Sequence, residues 1–246
     1  MQLRKLYQQL NQHYPVLKPH AKTWELWLKP NKRPSELFEV AIGTILVQNT
    51  NWRNVNHAVT NLKNEGITSF EQLQKMDPAR LKALIKPARF YNQKVLYLQA
   101  LSTLLVTHQE RGILPSRQQL LACKGIGKET ADSIRVYCFQ QAISVVGTYT
   151  RRFLARIRGD VNYLKAPYEA IQNEQSKELP KDPAILGRFH ALIVCHGQNH
   201  CQKNAPKCLD CFLREKCMYG QNQETDPTIA QIQTLISPPK RKNPVN

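Results

Sequence analysis

The sequence predicts an all-α protein. Three observations carry that reading. Apolar residues recur at helical spacing along most of the chain. Strand-like alternation is hard to find, and Val145-Val146 is too short to change the class. Prolines cut the chain into pieces of ordinary helix length. Taken in order, Leu37, Val40, Ala41, Thr44 and Ile45 predict one amphipathic helix, and Val55, Ala58, Val59 and Leu62 a second. Leu81, Leu84 and Ile85 predict a third, and Val95, Leu98, Leu101 and Leu105 a fourth. Pro30, Pro34, Pro78, Pro87, Pro115, Pro167, Pro180 and Pro183 fall at or between the expected ends. Beyond Asp226 there is no acid, and Pro238-Pro239-Lys240-Arg241-Lys242 reads as part of a basic, flexible tail.

The 246 residues include 35 Lys or Arg against 18 Asp or Glu, a formal net charge of +17 with 41% hydrophobic residues. So large an excess repels itself, and a polyanion is the usual compensation, nucleic acid first among the candidates. Length and pattern allow a sizeable core, which excludes wholesale disorder. The longest apolar stretch, Val40 to Val47, is far short of the ~20 residues that span a bilayer. Met1 to Leu10 is polar and amphipathic, without the apolar core of an export signal, so a cytoplasmic location is expected.

Seven cysteines in such a chain argue against a disulfide framework, and four crowd together as Cys201, Cys208, Cys211 and Cys217, spaced C-x6-C-x2-C-x5-C. Structural zinc sites usually draw ligand pairs from two separate knuckles, but here one 17-residue loop must wrap a single object. A cuboidal iron–sulfur cluster suits that wrapping better. Zinc is the alternative, and free cysteines the plainer reading. Cys123, Cys138 and Cys195 lie in apolar helical patterns and read as core.

From Leu120 to Ile134 one helix ends at Gly125-Ile126-Gly127 and another opens directly after it. Two glycines let the backbone approach a ligand, and amides at a helix start point at an anion such as a DNA phosphate. Ile126 is expected as the buried plug between the two helices, and an ordinary helix connection is the bland alternative. Lys124 to Arg158 holds seven basic residues against two acids, and Arg80 to Lys94 holds five with none. Together they suggest a phosphate-tracking surface, each stretch alone being compatible with a solvated face.

These residues resemble the helix-hairpin-helix (HhH-GPD) DNA glycosylases of the endonuclease III superfamily. The resemblance rests on Lys124-Gly125-Ile126-Gly127-Lys128-Glu129-Thr130-Ala131, on Val145 to Phe153 and on the four-cysteine loop, and it spans roughly residues 24 to 217. Leu46-Val47-Gln48-Asn49-Thr50 resembles the family's intercalation loop. The resemblance implies a two-domain endonuclease III-like helical fold. Residues 29–139 would form a central helical barrel containing the hairpin (about 119–136), 1–28 with 140–220 a second domain with the 4Fe-4S cluster loop, and 221–246 the tail. It further implies a monomer that binds duplex DNA containing damaged bases or abasic sites and takes a flipped-out nucleotide into a cleft. Gln48 becomes the wedge. Gly125, Ile126, Gly127, Lys128, Thr148, Arg151 and Arg152 become DNA contacts, and the cluster would order a loop placing Lys203, Lys207, Arg214 and Lys216 near DNA.

The sequence departs from the family at two catalytic positions. Strand-cleaving members carry a lysine in the hairpin helix that forms a Schiff base. Here that position is Glu129, and a carboxylate forms no imine. Lys128 stands next to it but should point elsewhere on the helix. The string Lys124 to Glu129 is most similar to the endonuclease III-like 3-methyladenine glycosylases, which implies a monofunctional enzyme for alkylated purines; Glu129 is the candidate to supply negative charge at the sugar, with a solvated first-turn acid that favours the helix dipole as the alternative. The second departure is Gly147, where the family places an aspartate. It leaves three explanations: an engineered substitution, a damage-binding protein without catalysis, or chemistry that needs less help. Trp24, Trp27 and Phe38 are the expected stacking pocket for the base, with helix-packing core as the alternative for the tryptophans. An endonuclease III-like enzyme for oxidised pyrimidines or abasic sites is the competing enzymatic reading.

Overall fold

The computed structural model describes residues 2–222 and 227–236, and no strand occurs among them. The helices are α1 (Leu3–His13), α2 (Ala21–Leu28), α3 (Pro34–Leu46), α4 (Trp52–Asn64), α5 (Phe70–Lys75), α6 (Pro78–Ile85), α7 (Tyr91–Glu110), α8 (Arg117–Ala122) and α9 (Lys128–Tyr137). They continue as α10 (Thr148–Arg158), α11 (Tyr168–Glu178), α12 (Pro183–Asn199), α13 (Met218–Gln221) and α14 (Pro227–Ile236). The four predicted periodic stretches lie on α3, α4, α6 and α7. Among the described residues no helix is long and apolar enough to cross a membrane. Contacts divide the chain into two compact units. One is His20–Ile143 with Asp182–Gly187; the other joins Met1–Pro19, Ser144–Lys181 and Arg188–Asn246.

In the first unit, side-chain caps start several helices. Asn51 Oδ1 accepts from the Asn54 amide at 3.0 Å, Asp77 from Arg80 at 2.8 Å with Pro78 following, and Ser116 from Gln119 at 3.2 Å. The core centres on aromatic rings: Trp27 meets Trp52 and Tyr137 edge-on at 5.0 and 5.1 Å, and Trp24 packs against all three. Gly43 lets α3 approach this cluster, since a Cβ there would stand 2.9 Å from the Trp27 ring.

Helices α8 and α9 are clasped by Asp132, whose side chain is fully buried. Arg117 donates to both carboxylate oxygens, at 2.9 and 3.1 Å, and Arg135 to one at 3.1 Å.

In the second unit Leu3, Leu6 and Leu10 put one face of α1 into the core. Arg158 on α10 pairs with Glu174 at 2.6 Å and Glu178 at 3.2 Å on α11. Part of the expected tail is structured: Pro227–Ile236 is helical, and its Ile229 and Ile232 pack on Ala155 and Tyr219. The isoleucines recur three residues apart and supply an apolar face, which a count of charges does not register. The Pro238 to Lys242 run lies outside the described residues.

Replacing Asp132 with Ala leaves two half-buried guanidinium groups without their carboxylate. The expected cost is roughly 3 kcal/mol, read as a lower midpoint in urea unfolding. An unchanged midpoint would show that the clasp contributes nothing.

Candidate functional site

The turn between α8 and α9 is built around two glycines with different tasks. Gly125 has φ of +82°, and a Cβ there would lie 2.1 Å from the Tyr97 ring, so only glycine fits. Gly127 caps α9 in extended backbone, and a Cβ there would meet nothing within 4 Å, so its backbone faces open space beside the first amides of α9. Ile126 is 5% exposed between the helices, its amide donating to Cys123 O at 3.1 Å. Lys124, Lys128 and Glu129 are exposed around this opening. Glu129 stands on the first turn of α9, where the helix dipole favours an acid.

Gln48 follows α3 and reaches the hairpin directly: its amide nitrogen donates to Gly125 O and to Thr130 Oγ1, both at 3.1 Å. The turn that carries it is held from beneath by Lys94. That side chain, 2% exposed on α7, donates to Leu46 O at 2.7 Å and to Gln48 O and Ala88 O at 2.8 Å. Burial pushes the ammonium down to about 8. Since Ala88 and Gln48 share one donor, the segment Arg89-Phe90 lies beside the Gln48 turn. Both residues have positive φ, and the Phe90 ring is 60% exposed.

In the other unit the four thiols Cys201, Cys208, Cys211 and Cys217 line one cavity. Arg156, 1% exposed, holds the loop. Nη1 donates to Cys201 Sγ at 3.3 Å and Gln202 O at 2.7 Å; Nη2 donates to Lys203 O at 3.0 Å and to Gln233 of α14 at 2.7 Å. The Gly220 amide donates to Cys217 Sγ at 3.4 Å. Burial pushes the Cys217 thiol up to about 12, so a bound metal must displace a firmly held proton. Among the described residues no three His, Cys, Asp or Glu side chains are grouped to hold one metal ion. The cavity lining contains four sulfurs, several N–H donors and no carboxylate, and buried Arg156 Nε has no hydrogen-bond partner. That donor set fits an anionic sulfur-ligated group.

Residues 42–181 match the HhH-GPD superfamily of base excision DNA repair proteins. The chain is 39% identical over 190 residues to a Methanocaldococcus jannaschii protein assigned to the DNA repair glycosylases, covering 74% of this chain and 85% of that one. The chain belongs to the HhH-GPD superfamily. It is a base excision repair DNA N-glycosylase with an all-α, endonuclease III-like fold and a helix-hairpin-helix. The 3-methyladenine DNA glycosylase of H. pylori, solved bound to 1,N6-ethenoadenine, superposes with a TM-score of 0.66 at 26% identity, over 80% of this chain and 98% of that one. Endonuclease III in a non-covalent DNA complex superposes at 0.70 with 20% identity, over 90% and 96%.

Several residues expected at the glycosylase's site have other positions. Trp24 and Trp27, 2% and 5% exposed, are aromatic core, and Phe38, 3% exposed, packs edge-on against Phe70 at 5.2 Å. The two tryptophan rings pack on other aromatics, while Phe38 also lines a cavity with Arg33, Glu36, Ile42 and Val59. Gly147 is buried at the N-cap of α10, with extended backbone that any residue adopts. Thr148 beside it is exposed.

The basic stretches also divide differently from their count. Arg151 donates to Tyr163 O and Ala166 O at 3.2 and 2.7 Å. Arg152, 8% exposed, donates to Cys201 O at 3.0 Å and lies over the Tyr149 ring. Arg135, Arg156 and Arg158 are likewise engaged internally. Lys94, grouped by sequence with phosphate-facing residues, is a buried clamp. Phe90 lies in the stretch Ile85 to Lys94 that resembles the family, but the sequence gives it no role; its combination of exposure and positive φ marks it.

Replacing Lys94 with Met keeps the bulk but strips two buried carbonyls and the part-buried carbonyl of Gln48 of their donor. The expected loss is roughly 2–4 kcal/mol in urea unfolding, together with weaker DNA binding as the Gln48 turn loosens. Unchanged stability would remove Lys94 from this role.

Proposed function

We propose that the glycosylase is monofunctional and excises alkylated, cationic purines of the 3-methyladenine type. The observation that carries this is Glu129, an exposed carboxylate on the first turn of the hairpin helix, which the resemblance of Lys124 to Ala131 matches to the Schiff-base lysine of lyase members. It cannot form an imine. It can place negative charge where a sugar cation develops. An N3- or N7-alkylated purine already carries positive charge and leaves as a neutral base without an acid. The absence of a carboxylate at Gly147 is therefore tolerable for this substrate class. The similarity to the H. pylori 3-methyladenine enzyme supports the same reading.

In this reading the α9 amides and Lys124 hold a phosphate, Gln48 fills the vacated stack, and exposed Phe90 wedges beside it. Trp24 and Trp27 stiffen the core, and Phe38 lines a cavity between α3 and α4. Cys201, Cys208, Cys211 and Cys217 hold a 4Fe-4S cluster, since thiols spread round one cavity suit a polynuclear group better than a single zinc ion. When bound, that cluster ties the loop into one rigid piece. Exposed Lys203, Lys207, Arg214 and Lys216 on that loop then contact the backbone of the duplex.

Gly147 specifically favours a second reading, a damage-binding protein that does not turn over. Incubation with duplexes carrying methylated purines separates the two. Release of free base, leaving abasic sites that break only in alkali, is expected. Tight binding without release would favour the second reading, and a borohydride-trapped covalent adduct would contradict both. Gly147→Asp puts a carboxylate at an N-cap, where Asp is favoured, and its fold is checked by thermal melting; activity appearing only in this variant would show that one missing carboxylate had silenced the site.

Glu129→Gln is expected to slow base release by roughly 100-fold while leaving duplex affinity within about threefold. Phe90→Ala should weaken binding to a lesion duplex roughly 10-fold, with the melting temperature unchanged because the ring is mostly exposed. A loss of stability equal to the loss of binding would assign Phe90 to packing.

A further inference from the structure

One group of side chains beside the cysteine loop has no part in the proposed chemistry. Tyr14 Oη lies 2.7 Å from His200 Nδ1 and 3.1 Å from His196 Nδ1, and His196 Nε2 lies 3.9 Å from Cys211 Sγ. The three residues therefore form one chain of hydrogen-bonding atoms that ends on a ligand sulfur. Aromatic contacts hold its members in place. His196 stacks on His200 at 5.6 Å and meets Phe153 edge-on at the same distance, and Phe212 stacks on His13 at 3.8 Å. His196 itself is 2% exposed, so no bulk water competes for its ring nitrogens.

The direction of this chain follows from the chemistry at its inner end. A cysteine bound to iron is a thiolate and can only accept. His196 Nε2 must then carry a proton, which leaves Nδ1 as the acceptor. Tyr14 has one hydroxyl proton, which goes to His196 Nδ1, and its oxygen accepts from His200 Nδ1–H. With a neutral His196 ring, this is the one arrangement that satisfies all three contacts at once.

We propose that His196, held in this tautomer by Tyr14 and His200, donates a hydrogen bond to the Cys211 sulfur of the loaded cluster and stabilises the cluster's more reduced state. A donor at a ligand sulfur lowers the energy of the added negative charge, which raises the reduction potential. This rests on the reading that the four cysteines hold an iron–sulfur cluster.

The test uses the full chain reconstituted anaerobically with iron and sulfide, alongside His196→Leu and Tyr14→Phe. Each is titrated spectroelectrochemically and examined by resonance Raman. The expected result is a cluster band in all three proteins, with the potential moved negative in His196→Leu and, by less, in Tyr14→Phe. The Fe–S(Cys) stretching band should move to higher frequency in the same order. If His196→Leu does not retain a cluster, Tyr14→Phe, which deletes a single oxygen, decides by the same two readouts. Potentials and stretching bands unchanged from a loaded wild type would overturn the hydrogen bond and leave the cluster reading standing. A wild-type chain that takes up zinc and no iron would overturn both.

Discussion

The geometry of the hairpin unit depends on one buried ammonium. Lys94 has no carboxylate partner among its hydrogen bonds; it exchanges its water for the carbonyls of Leu46, Gln48 and Ala88. Such an exchange is tolerable only if all three acceptors converge, so the end of α3, the turn after it and the segment before α7 have to meet at one point. Two outward-facing groups adjoin that point. Gln48 is held so that its amide reaches the hairpin carbonyl at Gly125, and Phe90 is left exposed on the neighbouring segment. Asp132 then fixes the partner helix α8 against α9. Three separate stretches of sequence are thereby joined through polar contacts to main-chain atoms.

The cysteine unit uses a cation in a similar way. Arg156 binds loop carbonyls at Gln202 and Lys203, a cysteine sulfur and the Gln233 side chain of α14. The consequence for electrostatics is direct. Much of the charge between Lys124 and Arg158 is consumed in building the protein, and the groups left to meet phosphate are the α9 amides and the exposed lysines around them. Net charge thus overstates the number of phosphate contacts and gives no guide to where they lie.

The parts of this account that were legible in the sequence are those whose signal is local. Helical periodicity placed α3, α4, α6 and α7. The glycine pair with Ile126 between them placed the hairpin and its plug, because positive φ at Gly125 and burial at Ile126 are set within a few residues. The cysteine spacing singled out the loop that lines a single cavity. What was not legible depends on partners distant in sequence. Lys94 looks like any surface lysine until three carbonyls, two of them more than forty positions away, are brought to it. Arg152 and Arg156 read as phosphate ligands because nothing local says that they turn inward. Trp24 and Trp27 point to a base pocket only through the family resemblance, and Trp52 and Tyr137 take those rings into the core, the alternative the sequence leaves open. The isoleucines of α14 were hidden by their position ahead of a basic terminus.

In the proposed reaction the nucleotide has to be held out of the stack before Glu129 can act at its sugar. The central claim is therefore that the Gln48 turn and the hairpin form one DNA-binding surface. Amide hydrogen exchange on the full chain, with and without a duplex containing an abasic site, tests it most directly. Protection is expected to concentrate in residues 47–50, 89–91 and 124–130, rising and falling together as salt is varied. Protection confined to other helices, with these three segments exchanging as they do in the free protein, would contradict it.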